Sequence, residues 1–353
     1  LITHDREGGV LRFVRERALA IMEDGHIPLI ISPCPAEAKD AYPRWNVVPD
    51  LADDYPNIIL SRRGPELREL LLSLNCAKME IHSYIGAGIK DIHWVSLFGI
   101  DYDIYLHDYS WFCPQITLVS HNNLYCGEPE ASVCQTCILD RGNATGDDTA
   151  LSLLRELGTD IFRRAQAVIA SCADVATRYR RHIDVPVVLG QWEPPVSTQH
   201  VVFPTGKPTG IRRILLIGAI GPEKGYDLLL RLARHVASVG LPLRFCIVGF
   251  TCDDSRLLET GVVEITGRYA ENELTSLIRM QRCDWGFLPA VWPETWSYVL
   301  TEFWRRECPV VTFDIGAPAE RIRTVGGGVV IPLHLPVDSV ANILLNPTQF
   351  MSQ

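Results

Sequence analysis

No apolar run in the 353 residues reaches the roughly 20-residue length needed to cross a membrane as a helix. Nothing at the N-terminus has the regions of a secretory signal. Positive charge is scarce too: 33 Lys and Arg stand against 42 Asp and Glu, for a net charge of −9 and a pI near 5.6. Bulk nucleic-acid binding needs a basic surface to neutralise phosphates, so that class is excluded. Short-period repeats and low-complexity tracts are absent. Cysteines number 11, an odd count scattered through apolar segments, which fits reduced thiols in a cytoplasm better than a disulfide framework. The chain starts at Leu1 and enters strand-like sequence at once, so it is expected to be a piece of a longer polypeptide.

What is present is an ordinary soluble composition, 47% hydrophobic and 21% charged, at a length suited to two α/β domains. Gly8-Gly9 precedes a helical pattern from Val10 to Glu23, with apolar Phe13, Val14, Ala18, Leu19 and Met22, closed by Asp24-Gly25-His26. Strands are expected at Ile27–Ile31, Ile58–Leu60, Ile104–Leu106, Ala167–Ala170 and Val185–Leu189, and helices at Pro65–Leu74 and Leu151–Ala165. The stretch Gln191–Gly210, rich in Pro, Thr, Ser and Gly, reads as a linker. Alternation then restarts: strands at Ile214–Ile217, Arg244–Val248, Val262–Ile265, Trp285–Leu288, Pro309–Phe313 and Gly328–Ile331, with helices at Gly225–Val239 and Glu271–Arg282. Such alternation predicts parallel sheets covered by helices. The expected division is a first Rossmann-like domain over 1–190, a linker over 191–210, a second Rossmann-like domain over 211–335, and a C-terminal helix over 336–353 returning to the first domain. Two doubly wound sheets would face a central cleft, with ligands beyond the carboxyl ends of the strands.

The chemistry concentrates in Trp292-Pro-Glu-Thr-Trp-Ser-Tyr-Val-Leu-Thr-Glu302. A carboxylate in a loop, Glu294, precedes a helix expected over Tyr298–Arg306, with Ser297 as its N-cap. Free N–H groups at such a helix start suit a phosphate. Glu302, one to two turns in, can accept two hydrogen bonds from a ribose diol. Two glutamates at this spacing also occur on ordinary amphipathic helices, so the rest of the chain decides. Ile217-Gly-Ala-Ile-Gly-Pro-Glu-Lys-Gly225 is a strand end, a flexible loop and a helix start. Lys224 there can place a point charge on a diphosphate. The loop lacks the Walker spacing.

Over essentially its whole length the chain resembles the retaining glycosyltransferases of the GT-B fold, family four (glycosyl transferases group 1). The resemblance rests on Gly8-Gly9 with its helix and Asp24-Gly25-His26, on His107 at a strand end, on the Gly218–Gly225 loop, and on the paired glutamates followed by Pro309-Val-Val311. It implies that Gly8 and Gly9 let backbone approach the donor phosphates and sugar, that Lys224 binds the diphosphate, and that Glu294 and His107 contact the transferred sugar. It further implies that Glu302 holds the ribose and that the backbone of Ser297, Tyr298 and Val299 cradles the distal phosphate. Two residues depart from the family pattern. Ala219 stands where an arginine is usual, leaving Arg268 to supply that charge, and Ser297 stands where glycine is usual. The reaction implied is metal-independent transfer from a UDP-, GDP- or dTDP-sugar, with retention of anomeric configuration and without an organic cofactor. The acceptor would be a glycan or lipid-linked molecule of bacterial surface polysaccharide synthesis. Two other readings stand beside it: a sugar-nucleotide epimerase or hydrolase, and a catalytically weak GT-B module that binds nucleotide or sugar within a larger protein.

Cys113, Cys126, Cys134 and Cys137 fall in an insertion near 107–140, and the terminal C-x-x-C makes a structural zinc site an expectation. Cysteine-bearing insertions of this kind, and the Asp314–Arg321 run, resemble a surface-polysaccharide subgroup. Asp101-Tyr-Asp103 matches a three-residue metal motif that also arises by accident. Arg12, Arg15 and Arg17, and the basic run Thr177–Arg181, suggest either a solvated helix face or peripheral contact with the inner face of the bacterial membrane.

Overall fold

The computed structural model describes residues 1–34, 43–48, 58–62, 64–204 and 210–350; residues 205–209 of the expected linker lie outside the described residues. The chain forms two compact units. One contains Leu1–Leu118 and Glu128–Trp192, the other Val119–Gly127 and Glu193–Gln353.

In the first unit the strands are β1 (Ile30–Pro33), β2 (Arg44–Val48), β3 (Ile58–Ser61), β4 (Met79–Ile81), β5 (Tyr102–Leu106), β6 (Ala167–Ala170) and β7 (Val188–Leu189). Its helices are α1 (Gly9–Glu23), α2 (Glu66–Ser73), α3 (Ile89–Val95), α4 (Ala131–Arg141), α5 (Leu151–Arg164) and α6 (Ala173–His182). Strands β4 to β7 run parallel in sequence order. Ile2 bridges in parallel to Ile31 on one side and Ile81 on the other. The spatial order through this unit is therefore β1, Ile2, β4, β5, and the order reverses at Ile2, the topology that opens a crevice beyond the strand ends. The expectation of parallel strands fails at residues 30–61. There β1, β2 and β3 form an antiparallel meander, and Trp45 and Val47 of β2 are fully buried on its covered face. That alternation is one face in and one face out, the mark of an antiparallel strand.

In the second unit the strands are β8 (Arg212–Ile220), β9 (Leu243–Thr251), β10 (Val263–Ile265), β11 (Trp285–Leu288), β12 (Val310–Phe313) and β13 (Gly328–Ile331). The helices are α7 (Tyr226–Val239), α8 (Asp254–Leu258), α9 (Leu274–Gln281), α10 (Tyr298–Trp304), α11 (Gly316–Val325) and α12 (Val337–Leu345). All pairings are parallel in the order β10-β9-β8-β11-β12-β13. That is the 3-2-1-4-5-6 order of the dinucleotide-binding fold, with its switch point between the first and fourth strands, here β8 and β11. The near-continuous apolar runs of β8, β9 and β12 are buried on both faces, as parallel strands under helices must be. Helix α7 turns Leu228, Leu229, Leu232, Ala233 and Val236 onto the sheet. Each such leucine contributes roughly 2 kcal/mol by leaving water. Gly225 and Gly240, both left-handed, bound the helix at its two ends. Helix α12 packs on α7 within this same unit.

Candidate functional site

The switch point of the second unit gathers the loop Gly221–Gly225 after β8 and the loop Pro289–Ser297 after β11. Gly225 has φ +86, and a Cβ there would meet the Pro289 carbonyl oxygen at 2.0 Å, so only glycine lets the two backbones touch. The Val291 amide donates to the Glu223 carbonyl at 3.0 Å, which ties the Lys224 loop to the loop that carries Glu294. Gly316, at the start of α11 with φ +68, lies so close that a Cβ would sit 2.6 Å from the Glu294 amide nitrogen. The Ala317 amide donates to the Glu294 carbonyl at 2.8 Å. Glu294 is thereby fixed from both sides by backbone. Gly218, at φ +104, has no atom within 4 Å of its would-be Cβ, so its open side admits a ligand's close approach. The Arg268 guanidinium stacks 4.1 Å above the Phe250 ring, at the carboxyl end of the adjacent β9.

Two expectations about helix α10 change. It spans seven residues, Tyr298–Trp304, and Ser297 gives it no side-chain cap. Ser297 instead has φ 74 and ψ 87, the left-handed region that glycine adopts without strain. The conformation persists because its surroundings hold it. The Arg321 guanidinium donates to the Ser297 carbonyl at 2.9 Å and to Thr301 Oγ1 at 2.7 Å, and lies 3.8 Å over the Trp296 ring. The Glu193 carboxylate, buried beneath, accepts from Trp296 Nε1 at 2.7 Å and from Thr301 Oγ1 at 2.6 Å. The sequence reading placed Glu193 in a linker and did not single out Arg321 in this role. The only local hint was a lone acid before Pro194-Pro195.

Glu302 faces away from a purely diol-binding arrangement. Its Oε1 accepts from Arg305 at 2.8 Å and its Oε2 from Arg306 at 2.6 Å. Glu302 also lines a cavity of about 600 Å³ with Thr275, Arg279, Arg282 and Arg306 among its walls; Lys224 and Glu294 are not among its lining residues. The structure thus joins the loops that carry Lys224 and Glu294 through the backbones of neighbouring residues, and places Glu302 on the helix that follows.

The first unit's switch point holds histidines. Each follows one of three neighbouring strand positions: His4 after Ile2, His82 after β4 and His107 after β5. Gly8, φ +132 and open at its Cβ direction, precedes α1. His107 and His82 are buried among Phe13, Tyr105 and Trp192. His82 Nδ1 lies 3.0 Å from His107 Nε2, and His82 Nε2 lies 3.5 Å from Glu80 Oε2. Arg17 grips Glu80 with Nη2 at 2.7 Å and Nε at 3.0 Å. Burial, then the fields of His82 and His4, holds His107 well below the ordinary imidazole range. Burial likewise lowers His82 against the pull of Glu80. Burial raises the Glu80 carboxyl, but contacts from His82 and Arg17 outweigh it and bring it to about 2. The sequence reading includes His107 but not His82 or Glu80, because β4 is only three residues long and carries no helical or alternating signature.

One other expectation is corrected. Among the described residues no group of three or more His, Cys, Asp or Glu side chains could hold a metal ion. Cys134 and Cys137 sit on α4, where the Cys134 thiol donates to the Pro129 carbonyl at 3.6 Å, and Cys126 belongs to the segment that joins the second unit. Cys113, Cys126, Cys134 and Cys137 are therefore not a zinc cluster. Asp103 of the three-residue acidic motif pairs with Lys78 at 2.5 Å. In the basic patches, Arg17 pairs with Glu80, and Arg178 with Glu128 and Asp174. Among the described residues no helix is long and apolar enough to cross a membrane.

Residues 198–345 match the model of the family described as glycosyl transferases group 1. The match covers the whole of the switch-point site in the second unit. The fold is α/β with parallel sheets, and solved GT-B glycosyltransferases share it. TarM superposes with a TM-score of 0.55 at 13% identity over 89% of this chain; the chain spans 56% of the length of TarM. Sucrose-phosphate synthase from Thermosynechococcus elongatus gives 0.59 at 14% identity, covering 99% of this chain and 87% of that one. HepE from Anabaena, solved in complex with UDP and glucose, gives 0.57 at 14% identity, covering 99% and 90%. A variant of S. aureus TarM was solved with fondaparinux, α-GlcNAc-glycerol and UDP. No curated protein matches the sequence.

Proposed function

We propose that this chain is a glycosyltransferase that moves a sugar from a nucleoside-diphosphate sugar, retaining its anomeric configuration, to a glycan or lipid-linked acceptor of bacterial surface polysaccharide synthesis. The observation that carries the reading is the backbone union of the Lys224 and Glu294 loops at the switch point between β8 and β11, inside the matched region. Ligands of open parallel sheets bind at that point. In this reading Lys224 stabilises the departing diphosphate, helped by Arg268 and by the backbone of Ser297, Tyr298 and Val299. Glu294 contacts the transferred sugar, and Glu302 takes the ribose beside its two arginines. Gly218 supplies close approach. For His107, Gly8 and Gly9 the proposed role is contact with the sugar. Transfer itself needs no metal where protein cations carry the leaving charge. UDP is the favoured nucleotide, since HepE and the TarM variant were solved with it. The first domain (1–190), the second (211–335) and the connecting and C-terminal segments divide the labour between acceptor and donor. The protein acts in the cytoplasm.

A thermal-shift series with UDP-, GDP- and dTDP-sugars tests the donor assignment, because a ligand of the native state raises Tm. One nucleotide series is expected to raise Tm in the native protein and to lose the shift in Lys224→Ala and Glu302→Ala. Glu294→Ala is expected to keep nucleotide affinity and lose donor hydrolysis. Binding without any turnover would favour a nucleotide-binding module. No shift with any of the three series would sink the reading.

A further inference from the structure

The buried histidine pair in the first unit is more ordered than sugar contact by a single imidazole requires. From Arg17 on α1 the contacts run through Glu80 on β4 and His82 just beyond β4 to His107 just beyond β5. Every neighbour bond in this chain has a preferred sense. Arg17 is a permanent donor, and its fork occupies Glu80 Oε1 and Oε2 at 2.7 to 3.1 Å. Glu80 is therefore held as an acceptor-only carboxylate. His82 Nε2 faces its Oε2 at 3.5 Å, longer than a normal hydrogen bond. At that distance in a buried site a lone pair on Nε2 would meet a carboxylate oxygen and be repelled, whereas an N–H is attracted. The proton of neutral His82 thus belongs on Nε2. Its Nδ1 then carries the lone pair, and the 3.0 Å contact to His107 can be made only if His107 Nε2 bears a proton.

We propose that Glu80 and His82 are positioning residues that set His107 in the Nε2–H tautomer, leaving its basic lone pair on Nδ1. The inference rests on the glycosyltransferase reading for its purpose, not for its geometry. A sugar hydroxyl that meets His107 would then donate to it rather than accept from it. The ring plane is fixed as well, by Phe13 at a centroid distance of 4.9 Å and Trp192 at 5.3 Å. Both imidazoles stay neutral, since burial disfavours the charged form of each.

The test is nitrogen-15 NMR of histidine-labelled protein at neutral pH, without donor or acceptor. In the native protein His107 is expected to show its proton on Nε2 alone. His82→Leu is expected to yield a tautomer mixture at His107, and His82→Asn, whose Oδ1 can accept in place of Nδ1, to restore the single form. A proton on Nδ1 of His107 in the native protein, or a His107 spectrum unmoved by His82→Leu, overturns the proposal. Donor hydrolysis read on the same variants separates this from the reading beneath it. His82→Leu is expected to lower kcat about tenfold or more, with KM changed less and His82→Asn recovering most of the loss. If the tautomer moves as expected and no native turnover is found with any nucleotide sugar, the glycosyltransferase reading fails and the positioning chain stands.

Discussion

The two switch points of this molecule are built by opposite means. In the second unit the switch point is made by the absence of side chains: Gly225 and Gly316 let backbones come together, Gly218 leaves open space, and charges stand on the loops between them. In the first unit it is made by side chains packed to the limit, with two imidazoles, a carboxylate and a guanidinium ordered among aromatic rings. A backbone-built site tolerates no added atom. A side-chain-built site depends on protonation as well as on packing.

The largest expected effect breaks a buried charge in the second unit. Glu193→Ala strands the Trp296 indole, the Thr301 hydroxyl and the nearby Arg321, and should cost about 3–5 kcal/mol in urea denaturation. Next comes the direct contrast. Gly225→Ala forces a Cβ into the Pro289 carbonyl and should cost roughly 3 kcal/mol, while Gly8→Ala meets open space and should cost roughly 1–2 kcal/mol for its positive φ alone. Equal losses would dissolve the distinction between the two sites.

Protonation sharpens it further. His82 and His107 have native pKa values below the unfolded 6.5, so below that pH the unfolded chain binds more protons and stability falls with falling pH. The loss should approach about 1.4 kcal/mol per pH unit for each histidine. Glu80, depressed to about 2, adds stability that is full above its unfolded value of 4.5 and lost as pH falls through about 2. Denaturation at pH 7 and 5.5 checks this. His107→Gln should remove the share that His107 contributes and leave that of His82, and Lys224→Ala should leave the difference unchanged. The smallest effect is Ser297→Gly. Relief of left-handed strain worth about 1–2 kcal/mol is partly offset by roughly 0.5–1 kcal/mol of glycine's unfolded-state entropy, leaving a gain of about 0.5 kcal/mol in Tm-derived stability.

The same contrast explains what could be read before the structure. Strands β8, β9, β11 and β12 and the glycines between them announce themselves as apolar runs broken by Gly, so the second sheet and the positions of Lys224 and Glu294 were visible in the chain. The partnership of Arg17 with Glu80 spans 63 residues, and that of Glu193 with Thr301 spans 108. No local period marks either pair. Ser297 looked like a helix cap because serine usually is one, and only the held backbone shows that it substitutes for glycine. The four cysteines looked like ligands because two share a C-x-x-C; their distribution between the two units could not be read from spacing.

Residues 119–127 leave the first unit, pack Tyr125 against the core of the second, bond Asn123 to Asp227, and return at Glu128. The polypeptide therefore passes from unit to unit three times, at 118–119, 127–128 and 192–193. Cutting it once after Trp192 does not free two autonomous halves. A hybrid chain that borrows the second unit from a relative must take this nine-residue excursion with it, or the graft arrives with part of its apolar surface uncovered.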